Sequence, residues 1–171
     1  MGRMKSAEPA QLPRGLDIRS IIALTQQHNG FAKLSSTQRR LLIAAILAAV
    51  LPRDGKVLDV EVQHFLGHLK NRYQFSAQDQ ELAMQFLNTA LTEVELLKAA
   101  RQLPELLSAE DCVTLIGLMW DIACCDQEAH ATETALIFKV ADHAGVARKR
   151  ALEEQNRAAR ANGLGPKINA A

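Results

Sequence analysis

The stretch R-D-G-K-V-L-D-V-E, residues 53–61, decides how this chain folds, and residues 125–133 repeat its pattern as C-D-Q-E-A-H-A-T-E. In each stretch an aspartate follows an apolar helical segment, a short break comes next, and a glutamate lies seven positions after the aspartate. The aspartates, Asp54 and Asp126, are 72 residues apart, and the two glutamates have the same separation. This spacing predicts a helical protein built from two related halves, each carrying one aspartate–glutamate pair.

Length and composition indicate one globular domain. A chain of 171 residues is long enough for one compact domain with a real core and short for two. Its hydrophobic content is 48% and its charged content 23%, which is typical of a globular protein. The net charge of +1 gives no strong field towards nucleic acid or an anionic membrane, so we expect neither as a partner.

The cysteines and the apolar segments indicate the cellular compartment in which the protein is expected. There are three cysteines, two of them adjacent, and this is a poor disulfide framework, so reduced thiols in the cytoplasm are expected. Residues 1–14 contain no apolar core segment and do not resemble a secretory signal. The longest apolar run, residues 41–51, stops at Pro52 and is too short to span a bilayer. It is apolar almost all round and predicts a central, buried helix.

Local signals predict helices throughout. No stretch alternates between apolar and polar residues with a period of two, so we expect no strands. We predict an all-α, single-domain bundle of seven to eight helices over residues 16–160, with flexible tails at residues 1–15 and 161–171. Helix starts are predicted at residues able to cap them: Ser35 or Ser36, Asp59, Ser76 with Asp79, Thr92 with Glu95, and Ser108 with Asp111.

The two acidic turns resemble those of the tellurite-resistance TerB-like family, which also includes the amino-terminal domain of some membrane-anchored DnaJ-type co-chaperones. The shared pattern is D-G-x-V-x-x-x-E in the first half and D-Q-E-A-H-x-x-E in the second, each between an apolar and an amphipathic helix. The resemblance covers roughly residues 37–155 and implies an all-helical fold. His130, three residues before Glu133, makes the chain look most like an uncharacterised bacterial branch.

One position departs from the family pattern. Family members usually have glycine after the second aspartate, where this chain has Gln127. If that position needs a positive φ, glutamine costs on the order of 1 kcal/mol there. The first turn, with Gly55, is therefore the better place for a bound ion.

The acidic turns predict a metal site. Gly55 breaks the helix after Asp54, so the chain can fold back and bring that carboxylate towards Glu61. Packing of the two halves would then gather both pairs around one polar pocket. Carboxylates with one imidazole suit Mg, Mn, Ca or Zn, and metal association in the wider family is consistent with this. The predicted ligands are Asp54, Glu61, Asp126, His130 and Glu133.

A structural interpretation stands beside this hypothesis. An aspartate before a glycine is ordinary turn chemistry, and a glutamate in the first turn of a helix interacts favourably with the helix dipole. Both pairs could tie helix ends together without binding an ion. His130, taken alone, is also typical of a cap or a surface residue.

Other chemistry-bearing residues are given structural interpretations. Cys124 and Cys125 could bind soft metals or react with a tellurium oxyanion, but the end of an apolar helix favours burial as small hydrophobic residues. His64 and His68 stand four apart without an HExxH pattern or a third ligand, and are predicted to be exposed. The last helix is basic without aromatic residues and is predicted to be solvated. Trp120 is predicted to lie in the core.

The sequence favours a protein that is not an enzyme. Catalytic triads, phosphate-binding loops and dinucleotide fingerprints are absent as local motifs, and nothing marks an activated nucleophile. The resemblance implies a helical module acting through other proteins, or as a homodimer, in a stress-response or envelope-associated assembly. The alternatives are a protein–protein interaction domain without a ligand and, with least support, an enzyme that uses the carboxylates as acid and base.

Overall fold

The structure, a computed structural model, describes residues 16–51, 57–88, 91–125 and 131–163. These residues form nine α-helices and two short 3-10 helices, and no strand occurs among them, which confirms the all-α prediction. Eight of the nine have at least eight residues. The α-helices are α1 Ile18–Thr25, α2 Ser36–Ala48, α3 Asp59–Tyr73, α4 Ala77–Met84, α5 Glu93–Ala100, α6 Leu103–Leu106, α7 Ala109–Cys124, α8 Ala131–His143 and α9 Arg148–Ala161. The 3-10 helices are Phe31–Lys33 and Gln85–Asn88.

Four of the five predicted caps start a helix: those of α2, α4, α5 and α7. Ser35 caps α2: its Oγ accepts the backbone N–H of Gln38 at 3.1 Å, and the Gln38 side chain accepts the N–H of Ser35 at 2.8 Å. Reciprocal pairs of the same kind start α4 and α5, and Ser108 accepts the N–H of Asp111 at the start of α7. Each pair satisfies backbone donors that a helix leaves open in its first turn.

Helix α3 starts differently from the prediction. Asp59 was expected to cap it, but Leu58 occupies the N-cap position and Asp59 is the first helical residue. The carboxylate of Glu61 accepts the N–H of Leu58 through Oε2 at 2.8 Å, as Gln38 and Glu95 do at the starts of α2 and α5. The other half of the capping box is missing, because leucine has no side-chain acceptor for the N–H groups of the first turn.

Helix α2 lies at the centre of the bundle, as its composition predicted. Every residue from 41 to 47 is buried, and the helix packs against α1, α3, α4, α5 and α7. The most extensive helix pair is α7 with α9, and the largest fully buried side chains are Trp120 and Phe65. The core thus joins both halves of the chain into one domain.

The two acidic turns occupy equivalent connections. The first lies between α2 and α3, and the second between α7 and α8; in each case a strongly buried helix comes before the turn. The predicted tail at residues 1–15 lies outside the described residues, and so do residues 164–171 of the tail predicted at 161–171. Ala161, the first residue of that predicted tail, still belongs to α9. None of the described helices is long and apolar enough to cross a membrane.

Candidate functional site

Glu61 is the acidic-turn residue that the structure places deepest. Only 4% of its surface is exposed, in the first turn of α3. Burying a carboxylate is costly unless it is hydrogen-bonded, and here the N–H of Leu58 and the positive end of the helix dipole stabilise the charge. This position differs from that of Glu95, which occupies the same place in α5, accepts the N–H of Thr92 and is only partly buried, with Arg19 as its ion-pair partner.

Glu133 is the other predicted metal ligand that the structure describes, and it lines a cavity of about 350 Å³. The end of α2 lines the same cavity, just before the first acidic turn, and so does the first turn of α8, just after the second. Across it, Lys139 pairs with Glu93 at 2.7 Å. The cavity therefore brings the chain segments that flank both turns to one place. Its lining residues are Ala49, Leu51, Glu93, Thr132, Glu133, Ala135, Leu136 and Lys139.

The other three predicted ligands, Asp54, Asp126 and His130, lie outside the described residues, as do Gly55 and Gln127. Within the described ranges no group of three or more His, Cys, Asp or Glu side chains could hold a metal ion. Glu61 and Glu133 are thus placed, while the complete ligand set stays a prediction.

The cysteines occupy structural positions. Cys112 and Cys124 are buried and Cys125 is partly buried, and none of the three forms a disulfide. Burial, with the neighbouring charge of Asp111, raises the pKa of the Cys112 thiol, so it stays protonated and unreactive at neutral pH. The prediction that Cys124 and Cys125 are buried as small hydrophobic residues is confirmed for Cys124, whereas Cys125 is only partly buried.

A second polar cluster, which the sequence did not predict, joins α7 to α9. The guanidinium of Arg157 pairs with both carboxylate oxygens of Asp121 at 3.2 and 3.3 Å, and with Glu154 at 2.7 Å. It also donates to the carbonyl oxygen of Gly117 at 3.2 Å. A side chain on Gly117 would meet the Glu154 carboxylate, so the small residue lets the helices approach. The only feature of the sequence that could have indicated this cluster is the three-residue spacing of Glu154 and Arg157 on one helix.

His64 and His68 lie beside this cluster. The prediction that they are exposed is wrong: both are partly buried, with ring centroids 6.0 Å apart and planes at 65°. Burial lowers the pKa of His68; the charge of Asp121 opposes that shift, whereas His64 and Arg157 add to it. The helix α7 that covers this face of α3 decided their exposure, and α3 alone does not contain that information.

The lowered pKa of His68 makes a pH dependence expected. The unfolded chain takes up the proton near the ordinary value of 6.5, whereas the folded chain resists it, so the contribution to stability is present above about pH 6.5 and is lost as the pH falls below it. Denaturant unfolding of the metal-free protein between pH 7.5 and pH 5 should show this loss. His68→Gln should lose less stability over the same range, and an equal loss in both proteins would contradict the assignment.

Comparison with known proteins gives one match. The family model described as "Tellurite resistance protein TerB" matches residues 40–154, which is more than half of the chain. The matched region includes both acidic turns and α3 to α8 in full. No curated protein and no solved structure matches the chain.

Proposed function

Since the chain belongs to the tellurite-resistance TerB family, we propose that it is a non-catalytic helical module that binds a divalent cation where its two acidic turns meet. It would act through other proteins in the cytoplasm, in a stress-response or envelope-associated assembly. The ion would be Mg, Mn, Ca or Zn, and its ligands would come from Asp54, Glu61, Asp126, His130 and Glu133.

The observation that carries this proposal is the shared cavity. Leu51 lies three residues before Asp54, Thr132 lies two residues after His130, and both line it with Glu133. Two connections 72 residues apart in the sequence are thereby flanked by one space, as convergence of the two pairs requires. The two turns carry four carboxylates in the sequence, Asp54, Glu61, Asp126 and Glu133, and such a set suits a hard cation.

The burial of Glu61 adds support. Glu95 accepts the equivalent N–H in α5 with a side chain that is 25% exposed, so capping alone does not require full burial. A carboxylate held in the interior keeps its charge only with partners that stabilise it, and a cation is the strongest such partner.

A second candidate function is protein binding without an ion. It is favoured by the three large exposed apolar side chains of the described residues, Leu58, Val60 and Val94, which are 47%, 37% and 63% exposed. They lie at the starts of α3 and α5. In this interpretation Glu61 is only a cap and the acidic turns only position the surface.

Titration of metal-free protein separates the two functions. The double variant Asp54→Asn with Glu61→Gln should lose the heat of ion binding and the ion-dependent stabilisation. For the unmodified protein that stabilisation should reach about 2.7 kcal/mol at a hundredfold excess of ion over its Kd. Isothermal calorimetry and urea unfolding with each of the four ions measure both quantities.

Glu95→Gln is the matched control, because it removes the same charge at the same helical position, outside the acidic turns. It should keep the full ion response. Absence of heat and of stabilisation at millimolar concentrations of all four ions would overturn the metal proposal. If the double variant were then merely less stable, the protein-binding module would remain.

A further inference from the structure

His64 and His68 stand one turn apart on the same face of α3. Their rings are in edge contact, and the Nε2 atom of His68 is buried with no hydrogen-bond partner among the described residues. A buried ring nitrogen without a partner is uncommon in folded proteins, and an ion or water is a usual explanation. Neither histidine is part of the acidic turns.

The surroundings favour a cation. Asp121 of α7 lies close enough to act on the charge of His68, and it is held by Arg157 of α9, which Glu154 also binds. Two carboxylates against one guanidinium leave this cluster with a net negative charge. Asp121 is therefore held near His68 by its ion pair with Arg157.

We propose that His64 and His68 form a two-imidazole site for a borderline transition-metal ion, with Ni²⁺ as the probe, an ion that is not among the four proposed for the acidic turns. Residues four apart on a helix face the same way, so two imidazoles can reach one ion. Imidazole nitrogen suits these metals, whereas the carboxylate turns suit harder ions. The described residues offer no third protein ligand in a suitable group, so water fills the remaining positions.

The geometry requires one small movement. Zinc–nitrogen bonds of about 2.0–2.1 Å at a tetrahedral angle bring two ring centroids to about 5 Å. The present separation is 6.0 Å, so the rings must approach by about 1 Å. His64 is partly exposed and can turn about its side-chain bonds, whereas the neighbouring helices hold His68. Binding would lock two successive turns of α3 together.

Calorimetric titration of the metal-free full chain with Ni²⁺ tests the site, because Ni²⁺ binds imidazole and does not oxidise the three thiols. His64→Gln and His64→Ala should each weaken Ni²⁺ binding at least tenfold, and His68→Gln should do the same. Two substitutions of the partly exposed His64 guard against a folding defect, which circular dichroism would reveal. Hydrogen exchange should show Ni²⁺ slowing the amides of α3.

Two controls locate the effect. His143→Ala removes a histidine of α8 whose Nδ1 lies 2.9 Å from the carbonyl oxygen of Lys139, and it should leave Ni²⁺ affinity unchanged. Asp54→Asn with Glu61→Gln should also leave it unchanged, which separates this site from the proposed acidic site. The inference is overturned if both folded His64 variants bind Ni²⁺ as tightly as the unmodified protein, or if His143→Ala weakens binding equally.

Discussion

Replacing Gly30 by alanine is expected to destabilise the protein by about 3 kcal/mol, because the added methyl group has no space. A Cβ there would overlap the carbonyl oxygen of Leu24 and lie 3.0 Å from the carbonyl oxygen of Gln27. Both obstacles are backbone atoms, one in the last turn of α1 and one in the turn that follows it, so no side chain can move aside. The φ of Gly30 is −59°, which any residue adopts, so the cost comes from contact alone.

Gly67→Ala is the matched control for Gly30→Ala. Gly67 lies within α3, and a Cβ there would meet nothing within 4 Å. Alanine is the better helix former, so this change should stabilise the protein by about 1 kcal/mol. Urea unfolding of both variants should therefore give shifts of opposite sign. Equal shifts would show that the turn after α1 yields more easily than its geometry indicates.

Removing the indole of Trp120 is expected to cost about 3–5 kcal/mol, a large part of the stability of an ordinary domain. The side chain is fully buried in α7, and its ring meets the edge of Phe138 at a centroid distance of 5.2 Å. The guanidinium of Arg148 in turn lies 3.7 Å from the centre of the Phe138 ring. Trp120→Ala would leave a cavity under α8 and weaken this chain of contacts from α7 to α9.

Val94→Ala is the control for Trp120→Ala, since Val94 is 63% exposed and its truncation should change stability by no more than about 0.5 kcal/mol. Trp120→Phe is also informative. The indole N–H is buried without a partner, so its removal loses no hydrogen bond, and phenylalanine should keep most of the stability. A loss below about 1 kcal/mol for Trp120→Ala would contradict the packing of α7 against α8.

Helix positions were predictable because their signals are local. Ser76 lies three residues from Asp79, and Thr92 lies three residues from Glu95, so each cap is fixed within one turn of chain. The apolar run of α2 likewise predicted a central helix from composition alone. Asp59 failed as a cap because α3 begins one residue earlier than predicted, so that Leu58 occupies the N-cap position and Asp59 is already helical.

The candidate sites were predictable only in part. The repeated spacing identified Glu61 and Glu133 as equivalent, and their helices do begin after equivalent connections. Neither the burial of Glu61 nor the cavity beside Glu133 follows from spacing, because both depend on how separate helices pack. His64 and His68 were misjudged for the same reason: a pair on one helix becomes sheltered only when α7 and α9 lie against it.

The sequence by itself determined the helical class, the starts of α2, α4, α5 and α7, and the repeated acidic motif. Each of these depends on residues that lie only a few positions apart in the chain. Tertiary structure alone decided the cluster around Arg157, whose partner Asp121 is 36 residues away. It likewise decided that the segments flanking both acidic turns share one cavity and that a ring nitrogen of His68 is shielded from solvent. The physical reason is that burial and charge pairing arise between helices, and the sequence of one helix does not show which other helices pack against it.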